Sequence, residues 1–210
     1  MDIGRAYTYM FDDDDWLKKI AIGGLIMLIP ILNLVALGYA IRVLRNARDG
    51  RELPLPEWDD WGGDFVRGLL ITVATFIYSL PAIFAVLMGV VFAGVFDEQA
   101  CMWAGYCPGI LWAVLVAFIT PALYLQYAKH DTFGALFRFG EIWKIVTDKF
   151  STYLVAVLMT CVAMIVASAI GSVACGIGVA WTSLWAYLVQ SHLMAQVQPA
   201  GSVPETAAGQ

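Results

Sequence analysis

What most constrains this chain is how its apolar residues are gathered. Between Ile20 and Ala195 they form runs of about 20 residues or more, the length an α-helix needs to cross roughly 30 Å of hydrocarbon. A water-soluble core would interrupt such runs at a helical or strand period. Only 14% of the residues are charged, against about a quarter in soluble domains, so the runs cannot be hidden behind a polar shell. In lipid each spanning segment must satisfy its own backbone hydrogen bonds, which selects helices here. The expectation is an all-α, polytopic membrane protein: a single membrane domain over residues 1–197, followed by a small, polar tail over 198–210 without fixed structure.

Four full transmembrane helices are expected, at 68–96, 109–128, 151–171 and 177–195. The segment 68–96 alone carries sixteen Leu, Ile, Val or Phe residues, which favour insertion by roughly 5 to 10 kcal/mol before polar offsets. The earlier run, 20–41, holds Pro30 and Asn33 at its centre, so it reads either as one kinked span or as a re-entrant hairpin. Residues 2–19 and 131–150 read as interfacial helices, the latter amphipathic, with Phe133, Leu136, Phe137, Trp143, Val146 and Phe150 on one stripe. Asp12 to Asp15 are expected to cap the helix that follows them.

Basic residues orient the chain. The 42–67 loop holds five arginines and the 129–149 segment four Lys or Arg, whereas the 97–108 connection and the turn before 177 hold none. The first two therefore face the cytoplasm. A hairpin at 20–41 puts Arg5, Lys18 and Lys19 on that same side, and is favoured over a single span for that reason. A weak repeat agrees with it: Trp58 and Phe65, like Trp143 and Phe150, are seven apart and precede a pair of apolar segments, and Phe11 with Trp16 begins a third, shortened copy. No cleavable signal is expected, because aspartates occupy the place of its basic region.

The succession Phe11, Trp16, Gly38-Tyr39, Arg42 to Arg45, Gly50, Leu53-Pro54, Trp58 to Trp61, Phe65, Gly68 and Tyr78 to Pro81 resembles the prokaryotic membrane family known as domain of unknown function 4013. The resemblance is most specific between Gly38 and Pro81. It implies a multi-pass helical protein in the cytoplasmic membrane of a bacterium or archaeon; the orientation read from the basic residues places the C-terminus on the cytoplasmic side. The resemblance implies no activity and carries over no functional residues.

Candidate chemistry is sparse. No apolar run has an ionisable Asp, Glu, Lys or Arg at its middle, which argues against proton- or ion-coupled mechanisms. Asn33, Pro30, Pro81 and Pro121 are candidates for broken helices around a neutral-solute path. His130 and His192 are the only imidazoles; as lone interfacial residues they read as hydrated side chains rather than haem or chlorophyll ligands, so no cofactor is expected. Four cysteines lack zinc, redox or haem spacing, although Cys101 and Cys107 bracket the outer connection as a candidate disulfide. No metal site and no nucleic-acid partner are expected, the latter because the net charge is -5 with no basic patch.

Packing signals are clearer. Ala163, Ala167, Gly171 and Cys175 form one small-residue stripe, and Ser168, Ser172, Gly176 and Ala180 a second, as in helices that approach closely in lipid. Pro54, Pro56, Trp58 and Trp61 could dock a partner through a polyproline stretch with aromatic anchors. These features lead to a non-catalytic membrane protein, a structural, accessory or assembly subunit of a larger membrane complex or a homo-oligomer, whose partners are the bilayer and other membrane subunits or itself. A transporter or channel for a small neutral solute is the alternative, and a lipid-modifying enzyme stands third.

Overall fold

A computed structural model describes residues 1–96, 99–173 and 176–199, with the side chain of Cys101 outside the description. Eight α-helices follow one another among these residues: α1 (Ile3–Thr8), α2 (Trp16–Met27), α3 (Asn33–Arg48), α4 (Trp61–Phe96), α5 (Gln99–His130), α6 (Phe139–Asp148), α7 (Phe150–Val173) and α8 (Gly178–Val197). Short 3-10 turns occupy Tyr9–Asp12 and Phe133–Phe137. There is no strand among the described residues.

The 20–41 run is not one helix. It breaks between Met27 and Asn33, where Pro30 brings no N–H and disfavours helix at the residue before it. The two arms return on each other. Lys19, near the start of α2, reaches the Leu55 carbonyl at 3.3 Å, while Tyr39 and Arg42, well along α3, donate to the Pro56 and Glu57 carbonyls at 2.8 Å each. The start of α2 and the far half of α3 therefore share one loop, and the turn at 28–32 is the tip of a hairpin. Its arms of 12 and 16 residues measure about 18 and 24 Å at 1.5 Å per residue.

The hairpin leans on the first turns of α4. A Cβ at Gly38 would lie 1.9 Å from the Asp64 carbonyl oxygen, and one at Gly68 would lie 1.9 Å from that of Leu34. These two glycines let the backbones of α3 and α4 touch. They also set the register: Leu34 lies beside Gly68, and the tip region shares a shallow recess with Thr72. From Thr72, α4 continues to Phe96, about 36 Å further, so the hairpin accompanies only the beginning of that helix.

The remaining long helices form two more hairpins. α4 and α5 run antiparallel, with Gly105 against Gly89 and the Trp112 indole donating to the Tyr78 carbonyl at 2.8 Å. α7 and α8 pair in the same way, with Gly171 under Val179 and Thr182. Each hairpin is entered through an aromatic contact or segment, Phe11 with Trp16, Trp58 with Trp61, and α6 with Trp143. α8 is the post on which α1, α2, α3 and α7 all pack. It carries Gln190 and Ser191 in its buried face, and Ser191 bonds across to the Ala40 carbonyl at 2.8 Å.

Among the described residues, three helices are long and apolar enough to cross a membrane: Trp61–Phe96, Met102–His130 and Phe150–Val173. α8, expected as the fourth, falls outside this set because of the polar residues it turns toward its neighbours. The outer parts of the three point apolar side chains away from the protein, as at Phe84 (66% exposed), Leu111 (71%) and Ile165 (68%). At the other end, residues 121–123 and 125–128 of α5 are enclosed on every side.

Several expected boundaries move. The 42–67 loop shrinks to 49–60, because α3 continues to Arg48 and Asp60 starts α4 early by accepting from the Gly63 N–H at 3.0 Å. The 97–108 connection is mostly helix, since α5 begins at Gln99. The 131–150 helix is broken at Arg138, whose φ/ψ of -82/74 re-phases the chain. As a result Leu136, Ile142, Ile145 and Val146 turn inward, while Trp143 and Phe150 stay exposed. In the 2–19 segment Asp15 makes no capping bond; Asp13 instead turns back to Lys19. Residues 200–210 of the expected tail lie outside the described part.

Candidate functional site

The most elaborated polar region surrounds the 49–60 loop, where α2, α3 and α4 meet. Asp64, fully buried on the inner side of α4, accepts from Arg42 Nη2 at 2.7 Å and from Arg67 Nη1 at 2.9 Å. Arg42 also reaches Asp59 at 2.7 Å, and Arg67 reaches Asp60 at 2.8 Å. These contacts hold the Asp59 and Asp60 carboxyls below the usual carboxylate range. Lys19 joins from α2, pairing with Asp13 and Glu57 at 2.8 Å each. Burial pulls the Lys19 ammonium down, but the two carboxylates outweigh it and leave its pKa raised. Arg45 completes the set, binding Asp131 beyond α5 and holding that carboxyl down as well.

This arrangement fastens three elements around one loop. A buried carboxylate between two guanidinium groups costs desolvation, and excellent geometry with further hydrogen bonds must offset it. Most of these lone pairs and N–H groups are engaged with one another, although Arg42 Nε is buried without a hydrogen-bond partner. Among the described residues, no group of three His, Cys, Asp or Glu is placed to hold a metal ion.

The loop residues read as a docking motif turn inward to differing degrees. Pro54 is buried, and its carbonyl accepts from Asn46 at 2.9 Å. Pro56 accepts from Tyr39. Trp58 stacks on Tyr39 with ring centroids 4.0 Å apart, donates to the Lys19 carbonyl at 3.0 Å and lies over Gly23. Trp61 alone of the four is open, 44% exposed; Leu53 of the same loop region is exposed as well.

The four residues of the supposed solute path do not converge. Pro30 and Asn33 sit at the exposed hairpin tip, Pro81 faces outward on α4, and Pro121 is buried in α5. Both residues of the candidate disulfide fall within α5, the side chain of Cys101 lying outside the described residues. Cys107 has a free thiol, and six residues along α5 separate the two backbones by about 9 Å of rise, beyond the roughly 7 Å that a disulfide bridges. Cys175 lies outside the described residues. Of the two stripes, Ala163, Ala167 and Gly171 are buried, with Gly171 beneath α8. Ser168, Ser172 and Gly176 are exposed, while Ala180 is buried. His192 stacks on Tyr9 with centroids 4.5 Å apart, and His130 lies 3.3 Å from Glu141.

Sequence reasoning missed the Asp64 network. Its signal was present as arginines and aspartates alternating on both sides of the loop, with Asp64 and Arg67 at the i,i+3 spacing that lets helix side chains pair.

Three long apolar helices and a polar end fastened by ion pairs define a helical class of protein whose helices are compatible with membrane insertion. Within that class the chain belongs to the family described as a protein of unknown function, DUF4013, whose model matches residues 22–176. That span takes in the second half of α2, all of α3 to α7, and the ion-pair network apart from Asp13 and Lys19. No curated protein and no solved structure matches the chain.

Proposed function

We propose that this chain is a non-catalytic integral membrane protein that acts as a structural, accessory or assembly subunit of a larger membrane complex, or as a homo-oligomer. One observation carries the reading. On α7 the stripe Ala163, Ala167 and Gly171 is already buried, whereas Ser168 and Ser172, one residue further round, face outward beside exposed Ile165. Small residues four apart let a second backbone approach closely in lipid, where packing drives association. Exposed Trp61 and Leu53 at the polar end offer such a neighbour a second contact.

In this reading α4, α5, α7 and α8 cross the bilayer, since the 20 residues of α8 reach about 30 Å. The α2/α3 hairpin dips in from the cytoplasmic side, and the C-terminal end of α8 is cytoplasmic. Support comes from the basic residues: Lys19, Arg42, Arg45 and Arg67 meet in one region, the side that Lys and Arg mark as cytoplasmic. The host is the cytoplasmic membrane of a bacterium or archaeon.

The test is cross-linking in native membranes. With the four native cysteines replaced by alanine, Ser168→Cys and Ser172→Cys are each expected to give an oxidised species of defined higher mass, and Ala167→Cys is expected not to. A monodisperse monomer in mild detergent, with no co-purifying protein and no cross-link from either position, would overturn the proposal.

A further inference from the structure

A second polar region lies apart from the Asp64 network, where the ends of α3 and α5 meet α6 and the residues after α8. It is an open cleft of about 730 Å³. Arg48, Lys129, His130, Lys144 and Lys149 all line it. Two carboxylates share the space, Glu141 and Asp148, but Glu141 is already engaged by Gln126, Arg138 and His130.

Positive charge is therefore in surplus. Among the described residues, Arg48, Lys129, Lys144 and Lys149 form no ion pair within 4.0 Å; Lys129 is bonded to Gln198, a neutral amide. Arg48 and Lys129 are near enough to repel each other, and Arg48 Nε is buried without a hydrogen-bond partner. Unlike Arg42, Arg45 and Arg67 of the other region, these cations have no carboxylate within ion-pair distance among the described residues.

The position of the cleft selects the anion. α6 supplies part of its lining and exposes Phe139 and Trp143 on its outer surface, the residue types that settle at the level of lipid headgroups. Basic pockets between membrane helices on the cytoplasmic side are suited to phosphate headgroups. We propose that this cleft binds the phosphate headgroup of an anionic phospholipid, with Arg48 and Lys129 as its inner cations and Lys144 and Lys149 at its rim. The site does not depend on the subunit reading given above, because a monomer would hold the lipid equally well.

The experiment is native mass spectrometry of the full chain in detergent holding equal amounts of phosphatidylglycerol and phosphatidylcholine. Retention of phosphatidylglycerol over phosphatidylcholine is expected. Arg48→Gln with Lys129→Met should lower that preference by roughly tenfold to thirtyfold, the effect of removing two surface cations. Lys144→Ala with Lys149→Ala, both at exposed positions, should lower it in the same direction without endangering the fold. A pair of substitutions elsewhere on the polar end, Arg5→Gln with Arg51→Gln, should leave it unchanged. Equal retention of the two lipids, or a preference untouched by both cleft variants, would overturn the proposal. Displacement of phosphatidylglycerol by inorganic phosphate alone would overturn the lipid assignment in favour of a soluble phosphate.

Discussion

Trp58 and Trp61 are three residues apart and were indistinguishable in sequence, yet the fold gives them opposite work. Trp58 fills the space over Gly23 and stacks on Tyr39, with its N–H donated to α2. Trp61 donates to the Trp58 carbonyl and keeps its ring largely outside. Trp58→Ala should therefore cost about 3 to 5 kcal/mol, as for a large aromatic removed from a packed site. Trp61→Ala should cost within about 0.5 kcal/mol, read as Tm shifts of the detergent-solubilised protein. Equal shifts would mean that Trp58 is not the wedge between α2 and α3. The aromatic cluster was legible in the sequence; which ring is swallowed was not, because that depends on Gly23, 35 residues earlier, being brought under it.

Among elements, the decisive contact is the α3–α4 crossing. Gly38 and Gly68 belong to the residues that carried the family resemblance, and the structure gives them a mechanical reason: both helix backbones occupy the space where a methyl group would go. Gly38→Ala must push α3 away from α4 and is expected to cost roughly 1 to 3 kcal/mol or more. Gly62→Ala, in the first turn of α4 with nothing within 4 Å of its Cβ, should instead be neutral or stabilising by about 0.5 to 1 kcal/mol. Tm values of the two variants against the parent check the pair, and a Gly38→Ala protein as stable as the parent would mean that the helices do not touch there. Apolar run length revealed most helices, while the break at Pro30 was favoured over a kinked span by Pro30, Asn33 and the placement of the basic residues. Run length misplaced helix ends wherever polar residues continue a helix, as at Trp61 to Arg67, and could not foresee the break at Arg138. The Asp64 network escaped for a related reason, since its partners lie 22 residues apart on two helices that sequence treated as one loop.

For the whole molecule, the ion pairs that join the 49–60 loop to α2 and the Arg45–Asp131 pair that ties α3 to the end of α5 put the N-terminal region and the basic segments on a common side. A topology reporter fused before Asp2 and another fused after Val197 are both expected to read as cytoplasmic, while one inserted between α4 and α5 should read as external. An external reading before Asp2 would convert the α2/α3 hairpin into a crossing and undo the arrangement. The helical, membrane-compatible class was open to composition and run length alone. The central place of α8 was not: a helix was expected at 177–195, but the sequence does not say that its polar residues are spent on neighbours.

That central place has a consequence for biogenesis. α8 follows in the chain every helix it gathers, so α1, α2 and α3 leave the ribosome long before the surface that completes them exists. The α2/α3 hairpin can rest on α4, but Tyr9, Ala40 and the glycines of α2 must wait for Leu188, Ser191 and Trp181. Final closure of the bundle is thus a late event, and until then the nascent protein leaves its inner glycine-lined faces uncovered.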